Sequence, residues 1–412
     1  MMSFTTIFRS MLLGLGLALS WAPAIAQEPP RDTHAAQDFD ELWSTVAAHY
    51  AYFDEKQTDW NCVRSRYRPL AVQAQTLEEF NAVLASVLHE LYDRHTVLRD
   101  QEEGTQRAPY YDMLVEKADT GARVVATFAG GSAEAAGLSV GDMIVAVNGR
   151  DIGALTAELM PRCLVEFDPD AEAYALNTAV SGIRGQPRLL RVISPEGSAR
   201  EVSLPLSSGE DAPDFETRTL EGGIGYIAIR SFADETIVTR FDAALETFRD
   251  APGLIIDVRD NGGGDTAVAR PIMGRFITER APYALMRRRE AAGLSDPWTE
   301  YVEPRGPFTF DAPVVVLTNH WSASMAEGFP MGMRNLGRAT IVGTAMMRLG
   351  AGVFQVRLDR TGIDAQYSGE PVYDTKGTPR EDLEPDVITG PGADILEAGI
   401  VQLRREIAAR KR

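Results

Sequence analysis

Three short stretches of this chain carry residue types that could do covalent chemistry. The first is Ser322-Ala323-Ser324, which follows the β-branched run Val314-Val315-Val316-Leu317 and the exit Thr318-Asn319-His320-Trp321. Such a run predicts a strand buried on both faces, and the small residues after it can open a helix. A serine hydroxyl at a strand-to-helix bend sits beside unpaired backbone N–H groups and the positive end of a helix dipole. That setting suits a nucleophile and its oxyanion, and it equally suits a plain helix cap. The second stretch is Asp260-Asn261-Gly262-Gly263-Gly264-Asp265, after the apolar run Leu254-Ile255-Ile256. Consecutive glycines let backbone N–H groups approach a ligand or an oxyanion closely, or simply make a tight turn. The third is Asp93-Arg94-His95-Thr96, where a helical pattern breaks. His95 is there a candidate base or an ordinary hydrogen-bonding histidine.

The elements that must position these residues follow from hydrophobic period. Phe39, Leu42, Trp43, Val46 and Tyr50 recur at helical spacing, as do Leu77, Phe80, Leu84, Val87, Leu88 and Leu91. Residues 35–106 are therefore read as an N-terminal helical domain. From residue 216 onward strands and helices alternate. Gly225–Ile229 and 253–259 read as strands around an amphipathic helix at 237–249, and Thr340–Gly343, 353–358 and 385–387 read as further strands. Ile395 to Ile407 reads as a closing amphipathic helix, with Arg410, Lys411 and Arg412 complementing its C-terminus. The glycine turn and the serine turn thus each end a buried strand, and neighbouring strand ends share a cleft. Pro330, inside the helix expected after Ser324, predicts a kink or a delayed start.

Composition narrows the classes. The 412 residues are 44% hydrophobic and 24% charged, ordinary for a globular chain of two or three domains. Residues 1–26 carry Arg9 as their one charge, an apolar run from Met11 to Ser20, and Ala24-Ile25-Ala26, the pattern of a secretory signal peptide cleaved after Ala26. Residues 27–34 form a Pro-rich linker, and no later stretch could span a membrane. The formal net charge of -18 becomes -19 without Arg9, which argues against a nucleic-acid partner. Cys62 and Cys163 are compatible with one disulfide or two separate thiols, and with no Cys-x-x-Cys or adjacent His they do not read as a metal site.

Between 107 and 206 the pattern is strand-rich. Ser132-Ala133-Glu134-Ala135-Ala136-Gly137-Leu138 leads into Gly141-Asp142-Met143-Ile144-Val145-Ala146-Val147-Asn148-Gly149. This resembles a PDZ domain, which implies capture of an extended peptide C-terminus by strand addition. A domain that merely props its neighbours is the plainer alternative. Residues 207–215, rich in Ser, Gly, Asp and Pro, form the next linker, and 216–412 the last domain.

Asp257-Val258-Arg259-Asp260-Asn261-Gly262-Gly263-Gly264 and Asn319-His320-Trp321-Ser322-Ala323-Ser324-Met325-Ala326-Glu327, in that order after a PDZ-like domain, resemble the tail-specific, C-terminal-processing serine protease family. Trp43, Tyr50, Asp59-Trp60, Asp93-x-His95-Thr96 and Gly377-Thr378-Pro379-Arg380-Glu381 resemble its branch nearer tricorn protease and the retinoid-binding-protein repeats. The resemblance implies a multidomain α+β fold: the N-terminal helical domain, the PDZ-like β-rich domain and a crotonase/ClpP-like α/β catalytic core. It also implies Ser324 as nucleophile, with Met325 N–H and Gly263 or Gly264 N–H as the oxyanion hole.

The lysine that the better-known branch pairs with its serine is missing here, where Arg348-Leu349-Gly350-Ala351-Gly352 stands, and arginine stays protonated at any working pH. A histidine must then be the base. His95 matches the tricorn-like element, with Glu381 orienting it, and His320, four residues before Ser324, is the alternative. Glu327 is expected as structural support. The implied function is an exported, periplasmic or secreted serine endopeptidase. It acts without metal or cofactor on protein or peptide substrates whose free C-terminus the PDZ-like domain binds. The alternatives are an inactive relative that binds peptides or apolar molecules in the same cleft, and an acyl hydrolase using the same nucleophile.

Overall fold

The structure, a computed structural model, describes residues 32–99, 103–109, 112–206, 213–290, 293–410 and 412. The expected signal peptide, most of the linker after it and most of the linker at 207–215 lie outside the described residues. The architecture is multidomain α+β, and its centre is a six-stranded sheet whose strands are numbered here in chain order. They are β1 (Phe215–Thr219), β2 (Gly225–Ile229), β3 (Leu254–Asp257), β4 (Val314–Thr318), β5 (Thr340–Gly343) and β6 (Val387–Ile388). Their spatial order is β6-β5-β4-β3-β2-β1, parallel throughout except for the antiparallel β1–β2 edge. Every residue of β2, β3 and β4 is buried. Helices cover both faces, as a parallel sheet requires. Ile227, Ile256 and Val316 pack with helices Thr236–Thr247, Thr266–Met273 and Met325–Asn335 on one side, and Ile255, Val315 and Leu317 pack with Leu403 of helix Ile395–Arg410 on the other.

Adjacent pairing of β3 and β4, Leu254 opposite Val314 through Asp257 opposite Leu317, brings the glycine turn and the serine turn side by side. The helix after the serine turn starts at Met325 and runs through Pro330 to Asn335, so the delayed start expected from Pro330 does not occur. Its proline lies in the buried interior of the helix, where it removes one N–H from the helical ladder.

The N-terminal region has three helices, Asp32–His49, Trp60–Gln73 and Leu77–His89. Their core is not closed on itself: Phe39, Leu42, Val46 and Leu84 share it with Ala351, Leu358, Ile363 and Ala365 from a hairpin far along the chain. Asp38, fully buried, accepts from Arg360 N, Thr361 N and Thr361 Oγ1 in the turn of that hairpin. The short strand Val97–Leu98 pairs antiparallel with Asp364–Tyr373, Val97 opposite Gln366. His95 is thereby fastened to the half of the chain that carries the serine turn.

Residues 113–204 form a second six-stranded sheet, closed by helices Ile152–Leu159 and Pro169–Ser181. Asn148 and Gly149, both at positive φ, make the tight turn between Met143–Val147 and Arg150–Asp151. A disulfide joins Cys62 on the second helix to Cys163, in the connection between helices Ile152–Leu159 and Pro169–Ser181, across 101 residues of sequence.

Candidate active site

Ser322 and Ser324, two residues apart, have opposite surroundings. Ser322 is fully buried; its Oγ donates to Val258 O at 2.8 Å and accepts from Asn319 N at 3.0 Å, tying the end of β4 to the end of β3. Asn319 adds to this seam, with Oδ1 accepting from Asp260 N and Trp321 N and Nδ2 donating to Asp260 Oδ1 at 2.8 Å. Ser322 is therefore a structural hydroxyl. Ser324 is partly exposed, takes φ +54°, and stands as the residue before helix Met325–Asn335. A non-glycine residue at positive φ is a costly conformation held by its surroundings, and here it turns a hydroxyl out at a helix N-terminus.

Those surroundings are the glycine turn and Glu327. Ala323 N donates to Asn261 O at 2.9 Å, joining the two turns directly. Gly263, at φ +101°, leaves no room for a side chain: a Cβ there would lie 2.7 Å from both Ala323 O and Ser324 Cβ and 3.0 Å from Met325 N. Its own N–H, however, donates to Asn261 Oδ1 at 2.7 Å. Among the described residues no hydrogen bond uses the N–H of Met325 or of Gly264. Of the two glycines expected to stabilise an oxyanion, Gly263 thus serves as the bare surface against Ser324 with its donor already engaged, and Gly264 retains a free donor.

Glu327 is fully buried one turn into the helix, and its Oε1 accepts from Ser324 N at 2.9 Å and Leu349 N at 2.8 Å. Its Oε2 has no partner. Burial pushes its carboxyl up to about 7, with Glu381 adding to the rise, while Arg380 and the two N–H donors oppose it. Glu327 does support the helix start, and it also links Ser324 to the segment Leu349-Gly350-Ala351.

That segment is where the remaining candidates converge. Asp93 shapes the turn carrying His95: its Oδ1 accepts from His95 N at 2.9 Å, and its Oδ2 accepts from Thr96 Oγ1 at 2.6 Å and Ser368 Oγ at 2.7 Å. The buried His95 ring is hydrogen-bonded to the backbone of Ala351, and its Nδ1 has no partner. Burial lowers the imidazole to about 4 against the pull of Asp93, with Arg380 lowering it further. Glu381 and the Tyr52 hydroxyl crowd the same bare face of Gly350; a Cβ there would lie 2.0 Å from Glu381 Oε2 and 2.6 Å from Tyr52 Oη. Burial raises the Glu381 carboxyl, with Asp382 adding to this and Arg380 and Tyr52 opposing it. Arg380, itself buried, donates to Leu349 O and Ala351 O and so pins the segment.

His320 stands edge-on to Trp321, with Nε2 buried and unpartnered; burial, helped by Arg94, lowers it to about 3. No hydrogen bond to Ser324 Oγ from either histidine occurs among the described residues. The structure brings Ser324, Glu327, Leu349, Gly350, Ala351, Arg380, Glu381 and His95 into one linked group. Arg380 in this group, with Tyr52 and Asn261 beside it, received no role from sequence reasoning, which quoted Arg380 and Asn261 only as motif neighbours. Arg380 could have been suspected as the neighbour of Glu381; Tyr52 gave no signal beyond an aromatic in a turn. The PDZ-like sheet forms one wall: Trp321 Nε1 donates to Thr127 O at 3.3 Å, Trp321 stacks edge-on with Phe128, and Leu114 and Ala126 pack against Trp321, Ala323, Met347 and Leu349.

Residues 223–389 match the model of Peptidase family S41, residues 31–89 that of the Tricorn protease C1 domain, and residues 100–160 that of the PDZ domain. Among curated proteins, the chain is 25% identical over 332 residues to the chloroplastic C-terminal processing peptidase of Tetradesmus obliquus, covering 78% of this chain and 69% of that one. It is 26% identical over 275 residues to the carboxy-terminal processing protease CtpB of Bacillus subtilis, covering 63% of this chain and about half, 52%, of the relative. Among solved structures, mature CPAF complexed with lactacystin superposes with a TM-score of 0.60 at 18% identity over 91% of this chain and 98% of that one. The photosystem II D1 C-terminal processing protease gives 0.56 at 18% identity over 89% and 96%. These two likenesses establish the fold.

Proposed function

We propose that this chain, which belongs to the tail-specific, C-terminal-processing serine peptidases, cleaves protein or peptide substrates through an acyl-enzyme on Ser324. In this reading Ser324 Oγ attacks the scissile carbonyl carbon while His95 takes its proton. The C–N bond breaks as His95 returns that proton to the leaving amine, and water then hydrolyses the ester by the same route. The tetrahedral oxyanion accepts from the N–H groups of Met325 and Gly264, which lack partners among the described residues. Glu381, against Gly350 and so one residue from the Ala351 that His95 contacts, stabilises the imidazolium. The PDZ-like domain, packed against Trp321, holds the C-terminal end of the substrate. The Cys62–Cys163 disulfide supports an exported protein working in an oxidising compartment.

The observation that carries this reading is the elbow itself: a serine at φ +54°, with Gly263 pressed against its Cβ and an unengaged N–H immediately after it. A helix cap has no need of that strain or that bare glycine. The missing hydrogen bond between Ser324 Oγ and either histidine favours a second reading, a relative that binds peptides without cutting them. Reaction with a fluorophosphonate probe at neutral pH, wild type beside Ser324→Ala, separates the two. Labelling of wild type alone is expected. Folded wild-type protein that stays unlabelled would support the binding reading.

A further inference from the structure

Strand Met113–Ala118 has its inner edge paired with Gly121–Thr127, and its outer edge faces helix Pro169–Ser181. An outer edge of this kind exposes a row of N–H and C=O groups to which an extended peptide can add. Here the edge is occupied. The buried side chain of Asn177 reaches from the helix and makes a matched pair of bonds to a single residue of the strand: Val115 N donates to Asn177 Oδ1 at 3.0 Å, and Asn177 Nδ2 donates to Val115 O at 3.0 Å. One acceptor and one donor, offered side by side to one strand residue, is the complement that a peptide backbone presents in a sheet. Asn177 Nδ2 also donates to Ala173 O at 2.9 Å, so the amide is held to its own helix as well. A strand needs roughly 4.7–4.9 Å between backbones on its hydrogen-bonding side, and a side chain bonded directly to both Val115 groups leaves no space for one.

We infer that Asn177 is an internal plug in the peptide groove of the PDZ-like domain. An extended peptide with a free C-terminus enters only by displacing its amide from Val115. This rests on the reading of that domain as the holder of the substrate's C-terminal end, and it names how that site is regulated. The plug sits one residue from Leu114, which packs against Trp321, Ala323 and Leu349 at the wall of the serine site. Filling the groove therefore rearranges a strand in contact with the nucleophile turn.

The test uses the Ser324→Ala protein, in which binding is read without turnover, so an error in the catalytic assignment cannot imitate an error here. A fluorescent decapeptide with an apolar C-terminal residue is titrated in free-acid and amidated forms against that protein, alone and with Asn177→Ala or the milder Asn177→Ser. Amide hydrogen exchange at Val115 is followed in parallel. Loss of two hydrogen bonds that compete with the ligand should tighten free-acid binding about tenfold. The amidated form should gain less, and Val115 should lose protection until peptide is added. Equal affinity of the plugged and unplugged proteins for the free acid would overturn the inference. So would unplugged protein that binds neither peptide while remaining folded by circular dichroism. Should Asn177→Ala unfold, Asn177→Ser and the exchange rate of Val115 in that variant with and without peptide decide the matter. Val115 left equally unprotected in both states, with peptide bound, would place the peptide elsewhere.

Discussion

At the scale of single residues, Ser322 and Ser324 are chemically the same and are separated by burial alone. Replacing Ser322 with Ala removes an interior hydroxyl with two partners and leaves Asn319 N and Val258 O unmatched, at a cost of about 1–3 kcal/mol. Denaturant unfolding should show that loss while fluorophosphonate labelling persists, and Ser324→Ala should show the reverse. The pH profile, read beside His95→Ala, tests the base. His95 is depressed on folding from 6.5 to about 4, so it stays neutral and able to accept a proton until pH falls through about 4. The same shift means that its contribution to folding is present above about 6.5 and is withdrawn as pH falls through about 4. The rate of labelling should therefore have an acid limb well below the usual histidine range, abolished in His95→Ala. A limb near 6.5 would mean that the working base is solvated. The sequence marked Ser324, His95, Glu381 and the glycines through their neighbours in the chain. It could not reveal that Asn261 Oδ1 consumes the Gly263 donor, since that depends on a side-chain torsion within the turn.

At the scale of elements, period and turn chemistry were the legible part. Gly225–Ile229 and Thr340–Gly343 form strands with the bounds read from the sequence, because short β-branched runs between turn residues have few other uses. The delayed start read from Pro330 fails because tertiary burial of the helix outweighs the lost hydrogen bond, a term no local rule contains. The Leu349-Gly350-Ala351 segment was read only as a place where lysine is missing. In the structure His95 lies against the Ala351 backbone and Glu381 against Gly350, and Gly350 is there because Glu381 Oε2 occupies the volume of its Cβ. Gly350→Ala should displace Glu381 and lower kcat/KM about a hundredfold, the usual consequence of an ångström-scale shift near the chemistry, with little change in KM. Gly263→Ala, which must move Ser324 Cβ and the Met325 N–H, should lower labelling by a similar or larger factor. Both are measured by single-turnover kinetics on protein whose melting temperature is checked first.

At the scale of the whole molecule, the fold class was legible and the way its parts share cores was not. The three N-terminal helices looked self-sufficient from their apolar faces, yet they need Ala351, Leu358, Ile363 and Ala365 to complete their interior. The Cys62–Cys163 bond fastens this body to the PDZ-like region, and with about 100 residues in its loop its reduction should cost about 2–4 kcal/mol. Unfolding in denaturant with and without reductant measures this, and Cys163→Ser should match the reduced wild type. The pairing of Val97–Leu98 with Asp364–Tyr373 has a temporal meaning. A chain leaving the ribosome presents His95 early and Ser324 late, and it can seat the imidazole only after a partner strand some 270 residues further on has been made. On the proposed roles, a chain that still lacks this strand cannot seat His95, and competence waits on it.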